Sequence, residues 1–256
     1  MLRTMHVRAL CFDLFDTLVD LHMDDLPEYE LDGEPHRGTQ PEIYRALPEA
    51  SRVGFDVFAY ALRDVDRELR ASLLAEGREL RTIERFRALT ARLGIEDPRL
   101  PEQLTQAHMR TLAARATTPT HHAKLLAELS DSFAIALCSN FSHAPTARRI
   151  LSDAQLQPAF SSLAISEEVG FRKPRHEIFA AVVAGLEVEP CEILHVGDRL
   201  EADVRGATEA GFRTAWLTRR VTNPAEQQAR YGGPAPDMVI TDLAELRERL
   251  VAPPPS

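Results

Sequence analysis

Short apolar runs alternate with amphipathic stretches along most of the chain. Residues 9–12, 133–138, 163–165, 193–196, 214–217 and 238–240 are of strand length and apolar or nearly so, the pattern of strands buried on both faces. Between them the spacing turns helical: at Leu125, Leu126 and Leu129, around 147–151, over 177–184, and at Leu200, Val204 and Ala207. A last helix carries Leu243, Leu246 and Leu250 before a proline-rich tail. Strands separated by helices of this length predict an α/β fold with a doubly wound parallel sheet.

From 51 to 115 the rhythm is helical alone. Phe58, Leu62, Val65, Leu69 and Leu73 keep 3-to-4 spacing, as do Ile83, Phe86, Leu89 and Leu93, with Gly94 as a stop. Leu104, His108 and Leu112 mark a third helix after Pro101. The first strand must join the same sheet as the later ones, so the helical block interrupts one domain. The expected organisation is an α/β core of residues 1–19 and 117–256 with an inserted α-helical cap of residues 20–116. The cap opens on an acidic, turn-rich stretch, 20–48, that reads as a long, partly ordered loop over a site or as an exposed linker.

Composition narrows the partners. A net charge of −9 at pH 7 argues against nucleic acid or an anionic membrane as the main partner. No signal peptide precedes the first strand, and no apolar run approaches membrane-spanning length. Cys11, Cys138 and Cys191 are far apart and fit buried thiols in a reducing cytoplasm better than a disulfide framework or zinc site. Oligomeric state is not legible. One bias is informative: of 30 basic residues only Lys124 and Lys173 are lysines, and only Asn140 and Asn223 are asparagines. A lysine retained by a GC-rich genome that otherwise writes arginine is a candidate for a role only lysine fills.

Chemistry gathers beyond the carboxyl ends of strands in open α/β sheets. Asp13 ends the first strand, as a nucleophile, a metal ligand or a plain turn residue. Ser139-Asn140 ends the second; a hydroxyl followed by backbone N–H groups suits a phosphate or carboxylate oxygen, and equally a helix cap. Lys173 directly precedes Pro174, which biases it to an extended conformation from which it reaches back as a fixed charge or lies solvated. In His195-Val196-Gly197-Asp198, with Asp203 five residues on, two carboxylates suit a hard cation such as Mg²⁺, or are acids favoured by a helix N-terminus.

Together these segments resemble the haloacid-dehalogenase-like (HAD) superfamily, most of whose members are phosphatases, over the whole chain except 20–48. Phe12-Asp13-Leu14-Phe15-Asp16-Thr17-Leu18 resembles the first motif, Ser139 the second, Lys173 the third, and Gly197-Asp198 with Asp203 the fourth. The resemblance implies a Rossmann-like core and Asp13 as a nucleophile that becomes an aspartyl phosphate. It implies Ser139 and Lys173 as catalytic and phosphate-binding groups, with Asn140 beside them. It implies Mg²⁺ held by Asp13, the carbonyl of Phe15, Asp198 and Asp203. The substrate is then a small phosphorylated molecule.

One departure matters. Family phosphatases carry a second Asp two residues after the nucleophile as acid and base, where this chain has Phe15. Asp16 is one residue late and should point the other way along an extended segment. A phosphatase without that acid would need a good leaving group or a residue from the cap, with His22, Asp24 and Asp25 nearest. A 2-haloacid dehalogenase resembles this chain in placing an aromatic residue there, since halide leaves without protonation. A phosphonatase would need a cap lysine, and none lies between 20 and 115. A non-catalytic ligand-binding protein is the reading from another class.

Overall fold

The computed structural model describes residues 5–251. β1 (Met5–His6) leads to β2 (Ala9–Phe12), the inner strand of the sheet, with all four of its residues buried. The chain leaves the core through β3 (Asp20–Leu21), forms a hairpin of β4 (Glu28–Leu31) and β5 (Glu34–Arg37), and continues into α1 (Gln40–Arg45). Three longer helices follow, α2 (Phe55–Leu73), α3 (Thr82–Arg92) and α4 (Leu100–Ala113). The return strand β6 (Ala116–Thr117) pairs antiparallel with β3, so the two crossings lie side by side.

The core then alternates. α5 (His122–Ser130) precedes β7 (Ala134–Ser139), and α6 (Ala144–Asp153) precedes β8 (Ser162–Ile165). The short α7 (Ser166–Val169) and α8 (His176–Leu186) lead to β9 (Ile193–Gly197). A π-helical turn over Leu200–Arg205 runs into α9 (Gly206–Glu209), β10 (Arg213–Leu217), α10 (Pro224–Arg230) and β11 (Met238–Ile240). The last helix, α11 (Leu246–Arg249), stops before Leu250, which lies instead in β12 (Leu250–Val251), paired parallel with β1. That corrects the expected helix through Leu250: the apolar side chain completes a strand pair beside the core.

Six parallel strands stand in the order β11-β10-β9-β2-β7-β8, with β2 and β9 at the centre. Alternate residues of each strand face opposite layers. Leu10, Phe12, Ile135 and Leu137 pack with Leu125, Leu126, Ile150 and Leu151 of α5 and α6. Ala9, Cys11, Ala136 and Cys138 pack with Ile178, Phe179 and Val182 of α8. Helices on both faces make this the doubly wound, Rossmann-like α/β fold that the pattern predicts.

The helical unit has its own core, built on Phe58, Leu62, Phe86, Leu89, Leu100 and Leu104. Leu31, Ile43 and Leu47 complete it. The stretch 20–48 is therefore no simple loop or linker but part of the helical packing. Its missed signal is Asp32-Gly33: both residues have positive φ, 59° and 78°, the two-residue turn that joins hairpin strands.

Candidate active site

Asp13 continues β2 by one bond, its N–H donating to Val196 O at 2.9 Å, so its side chain emerges where β2 and β9 end together. The chain then turns at once. The N–H groups of Leu18 and Val19 both donate to Leu14 O at 2.9 Å, and Asp16 adopts φ 58°. The expected extended segment is thus replaced by a turn, and Asp16 is held elsewhere: its Oδ1 accepts from Arg220 Nε at 2.8 Å and from Leu21 N at 3.3 Å. Phe15 packs edge-on against Phe141, with ring centroids 4.9 Å apart.

Lys173 lies at the centre of the site, not in solvent, with its side chain 2% exposed. Its Nζ donates to Asp13 Oδ1 at 2.6 Å, Asp203 Oδ1 at 2.6 Å and Cys138 O at 2.7 Å, which uses all three of its protons. Asn140 brackets its backbone: Lys173 N–H donates to Oδ1 at 2.7 Å, and Nδ2 donates to Lys173 O at 3.0 Å. The Asn140 amide thus holds Lys173 in place and has both ends engaged.

β9 supplies the opposite wall. A Cβ on Gly197 would come within 2.2 Å of Asp203 Cγ, so only glycine lets that carboxylate lie against the strand end. Asp203 Oδ1 also accepts from His195 Nε2 at 2.9 Å, and its Oδ2 accepts from Arg199 N at 2.9 Å. In the first of these bonds His195 Nε2 is the donor, and Nδ1 lies 3.3 Å from Cys11 Sγ. The Asp198 backbone is fixed by Trp216, whose indole N–H donates to Asp198 O at 2.8 Å.

Asp13, Asp198 and Asp203 each bring an oxygen within 4.8 Å of the others. One ammonium, that of Lys173, faces these three carboxyl groups, so ionising all of them crowds negative charge. Burial pushes Asp198 up to about 8, with Asp13 and Asp203 adding to the rise. Burial also raises Asp13, against the pull of Lys173. For Asp203 burial is outweighed by Lys173 and His195, which hold it well below the usual carboxylate range. Burial disfavours the Lys173 ammonium, but Asp13 and Asp203 outweigh it and hold it above the ordinary lysine range. Ser139 Oγ is buried without a hydrogen-bond partner among the described residues, as is Thr17 Oγ1. An acidic oxygen cluster that crowds negative charge when ionised suits a hard divalent cation, and an orphaned hydroxyl beside it suits an incoming oxyanion.

Asp13, Ser139, Asn140, Lys173, Asp198 and Asp203 are thus gathered at the ends of β2, β7 and β9 and in the loops that follow β8 and β9. Of the candidate acids nearest in sequence, His22 has its Nε2 bonded to Thr117 Oγ1 at 2.8 Å across the β3–β6 pair, and Asp24 and Asp25 are exposed. His195 went unassigned in the sequence, although a polar residue inside a buried strand is itself the signal.

The sequence profile of the family described as "haloacid dehalogenase-like hydrolase" matches residues 7–211. The chain is 32% identical over 169 residues to the pyrimidine 5'-nucleotidase YjjG of Escherichia coli, spanning 65% of this chain and 69% of that protein. It is 32% identical over 165 residues to a phosphoserine phosphatase of Thermus thermophilus, spanning 63% of this chain and 64% of that one, less than two thirds of its length. Among solved structures, the HAD-hydrolase YfnB of Bacillus subtilis bound to magnesium superposes with a TM-score of 0.59 at 24% identity, covering 95% of this chain and 98% of that one. A 2-haloacid dehalogenase of Pseudomonas syringae gives 0.69 at 19% identity, covering 94% and 97%, a likeness of fold alone. The chain belongs to the haloacid dehalogenase-like hydrolase family.

Proposed function

We propose that the protein is a Mg²⁺-dependent phosphatase of small phosphate esters that works through an aspartyl phosphate at Asp13. The observation that carries this reading is the pairing of a saturated Lys173–Asp13–Asp203 cluster with an unpartnered Ser139 hydroxyl and a third carboxyl, Asp198, within 4.8 Å of the other two. The Asp13 carboxylate attacks phosphorus, forming a P–O bond as the bond to the ester oxygen breaks. Water then attacks the same phosphorus, the bond to Asp13 breaks, and phosphate leaves. Lys173 holds Asp13 in place and offsets charge through both steps, and Ser139 donates to a phosphoryl oxygen. Asp13, the Phe15 carbonyl and Asp198, with Asp203 behind them, are the residues that would hold Mg²⁺, which would supply positive charge against their ionised carboxylates and the phosphoryl group. Phe15 moves no proton, so the reading favours esters whose alcohol leaves readily. Residues 20–116 serve as the cap over the core of 1–19 and 117–256.

Purified protein is expected to hydrolyse an activated aryl phosphate only with Mg²⁺, and Asp13→Asn to abolish turnover. A second reading, 2-haloacid dehalogenation, is favoured by Phe15, two residues past Asp13, which forms an aromatic pair with Phe141. Halide release in EDTA without phosphatase activity would reverse the ranking.

A further inference from the structure

The helical unit touches the core away from its β3–β6 crossing as well. The segment between α2 and α3 lies antiparallel to the chain leading into Lys173. Arg172 N–H donates to Gly77 O at 2.9 Å, Glu79 N–H to Gly170 O at 3.0 Å, and Arg78 bridges Phe171. Farther on, Thr82 N–H donates to Ser142 O at 3.2 Å, and the Thr82 and Ser142 hydroxyls are 2.8 Å apart. Gly77 has φ 70°, and a Cβ there would meet Arg175 Cγ at 2.4 Å, so the two strands of chain are in close contact.

Glu79 is the buried carboxylate of this segment, its side chain 1% exposed, while Glu76 is exposed. A buried charge is tolerated where donors satisfy it. Arg172 Nη1 donates to both of its oxygens, at 2.8 and 3.0 Å, and Ser166 Oγ donates to Oε2. Each partner leads on to a different loop of the site. Ser166 Oγ accepts from Phe141 N–H at 2.9 Å, two residues past Ser139. Arg172 directly precedes Lys173, whose backbone is bracketed by Asn140. The loops carrying Ser139 and Lys173 are therefore tied to each other by Asn140, and both are tied to the helical unit by Glu79.

We infer that Glu79 is a positioning residue that sets the spacing of the Ser139 and Lys173 loops, so that the oxyanion pocket takes shape only with the helical unit docked. The inference rests on the phosphatase reading for the class of ligand, an oxyanion, and on geometry alone for the positioning. An interface contact with no such role would keep the helical unit in place and leave the loops indifferent.

Amide hydrogen exchange and calorimetric binding of inorganic tungstate, with the full chain, separate these. In Glu79→Ala, exchange over 139–143 and 170–173 is expected to rise about tenfold, as lost hydrogen bonds to a charged group imply, with α4 unchanged. Tungstate binding is expected to weaken about tenfold. Glu79→Gln, which keeps an acceptor for Arg172, should recover most of both. Ser166→Ala, which leaves the Glu79–Arg172 pair intact, should raise exchange at 139–143 but not at 170–173, and it decides the matter should the alanine variant at 79 not fold. Exchange changes confined to 77–82 with wild-type tungstate affinity would overturn the inference. Wild-type protein that ignores tungstate would sink the phosphatase reading, while the exchange pattern still decides the role of Glu79.

Discussion

Two sets of groups in the strand-end pocket are finished to different degrees. Around Lys173 every polar group is engaged: three acceptors for Nζ and three donors for Asp203, His195 Nε2 among them. At Ser139 a hydroxyl lacks a partner, and at Asp198 a carboxyl is pushed up to about 8 by burial and by its acidic neighbours. The first set is built for stability in the absence of ligand. The second bears the cost of an uncompensated site, and the free energy withheld there is available when charge and oxygen ligands arrive.

Removing the keystone of the finished set should have the largest effect. Lys173→Met leaves carboxylates uncompensated in the interior, and about 3–5 kcal/mol of stability should be lost by denaturant unfolding, with turnover gone. His195→Phe comes next. The ring would still meet Phe179, now 5.5 Å away edge-on, but Asp203 would lose a donor. A loss of about 1–3 kcal/mol is expected, and the comparison fails if the variant is as stable as wild type.

The open set should answer in the opposite sense. Ser139→Ala should leave stability within about 0.5 kcal/mol, since no bond is broken, while binding of a phosphate analogue weakens about tenfold. A stability loss as large as that of His195→Phe would show that Ser139 is bonded after all. For Asp198 the raised value means that folding favours its protonated form. Its stabilising contribution is full at pH 4 and below and is lost as pH rises through about 8. In EDTA the melting temperature should therefore decline across that window, and a divalent ion should flatten the decline by binding the ionised form. Phe15→Asp is the subtlest change. It should raise phosphatase turnover modestly, and a variant with unchanged turnover would show that another group already handles the proton.

Much of the fold was legible because buried parallel strands read as apolar runs that need no long-range knowledge. Asp13, Ser139, Lys173 and Asp198 were legible for a related reason: each closes or follows such a run. What resisted reading is what depends on contacts across the chain. The commitment of Asp203 to Lys173 and His195, and of Asn140 to the Lys173 backbone, is written in no local pattern. Glu79 meets Ser166 and Arg172 across 87 and 93 residues. Leu250 was misplaced because helical spacing alone does not reveal a strand pair with the other end of the chain. The stretch 20–48 was misjudged because its many acids hid three leucine and isoleucine anchors.

The scarcity of lysine gives the molecule a chemical reporter. It has two side-chain amines: Lys124, 81% exposed on α5, and Lys173, 2% exposed at the centre of the site. An amine-directed acylating reagent should mark the first within its ordinary reaction time and spare the second. Slow acylation of Lys173, followed by mass spectrometry, would then time how often the site opens, with no engineered label and no substrate in hand.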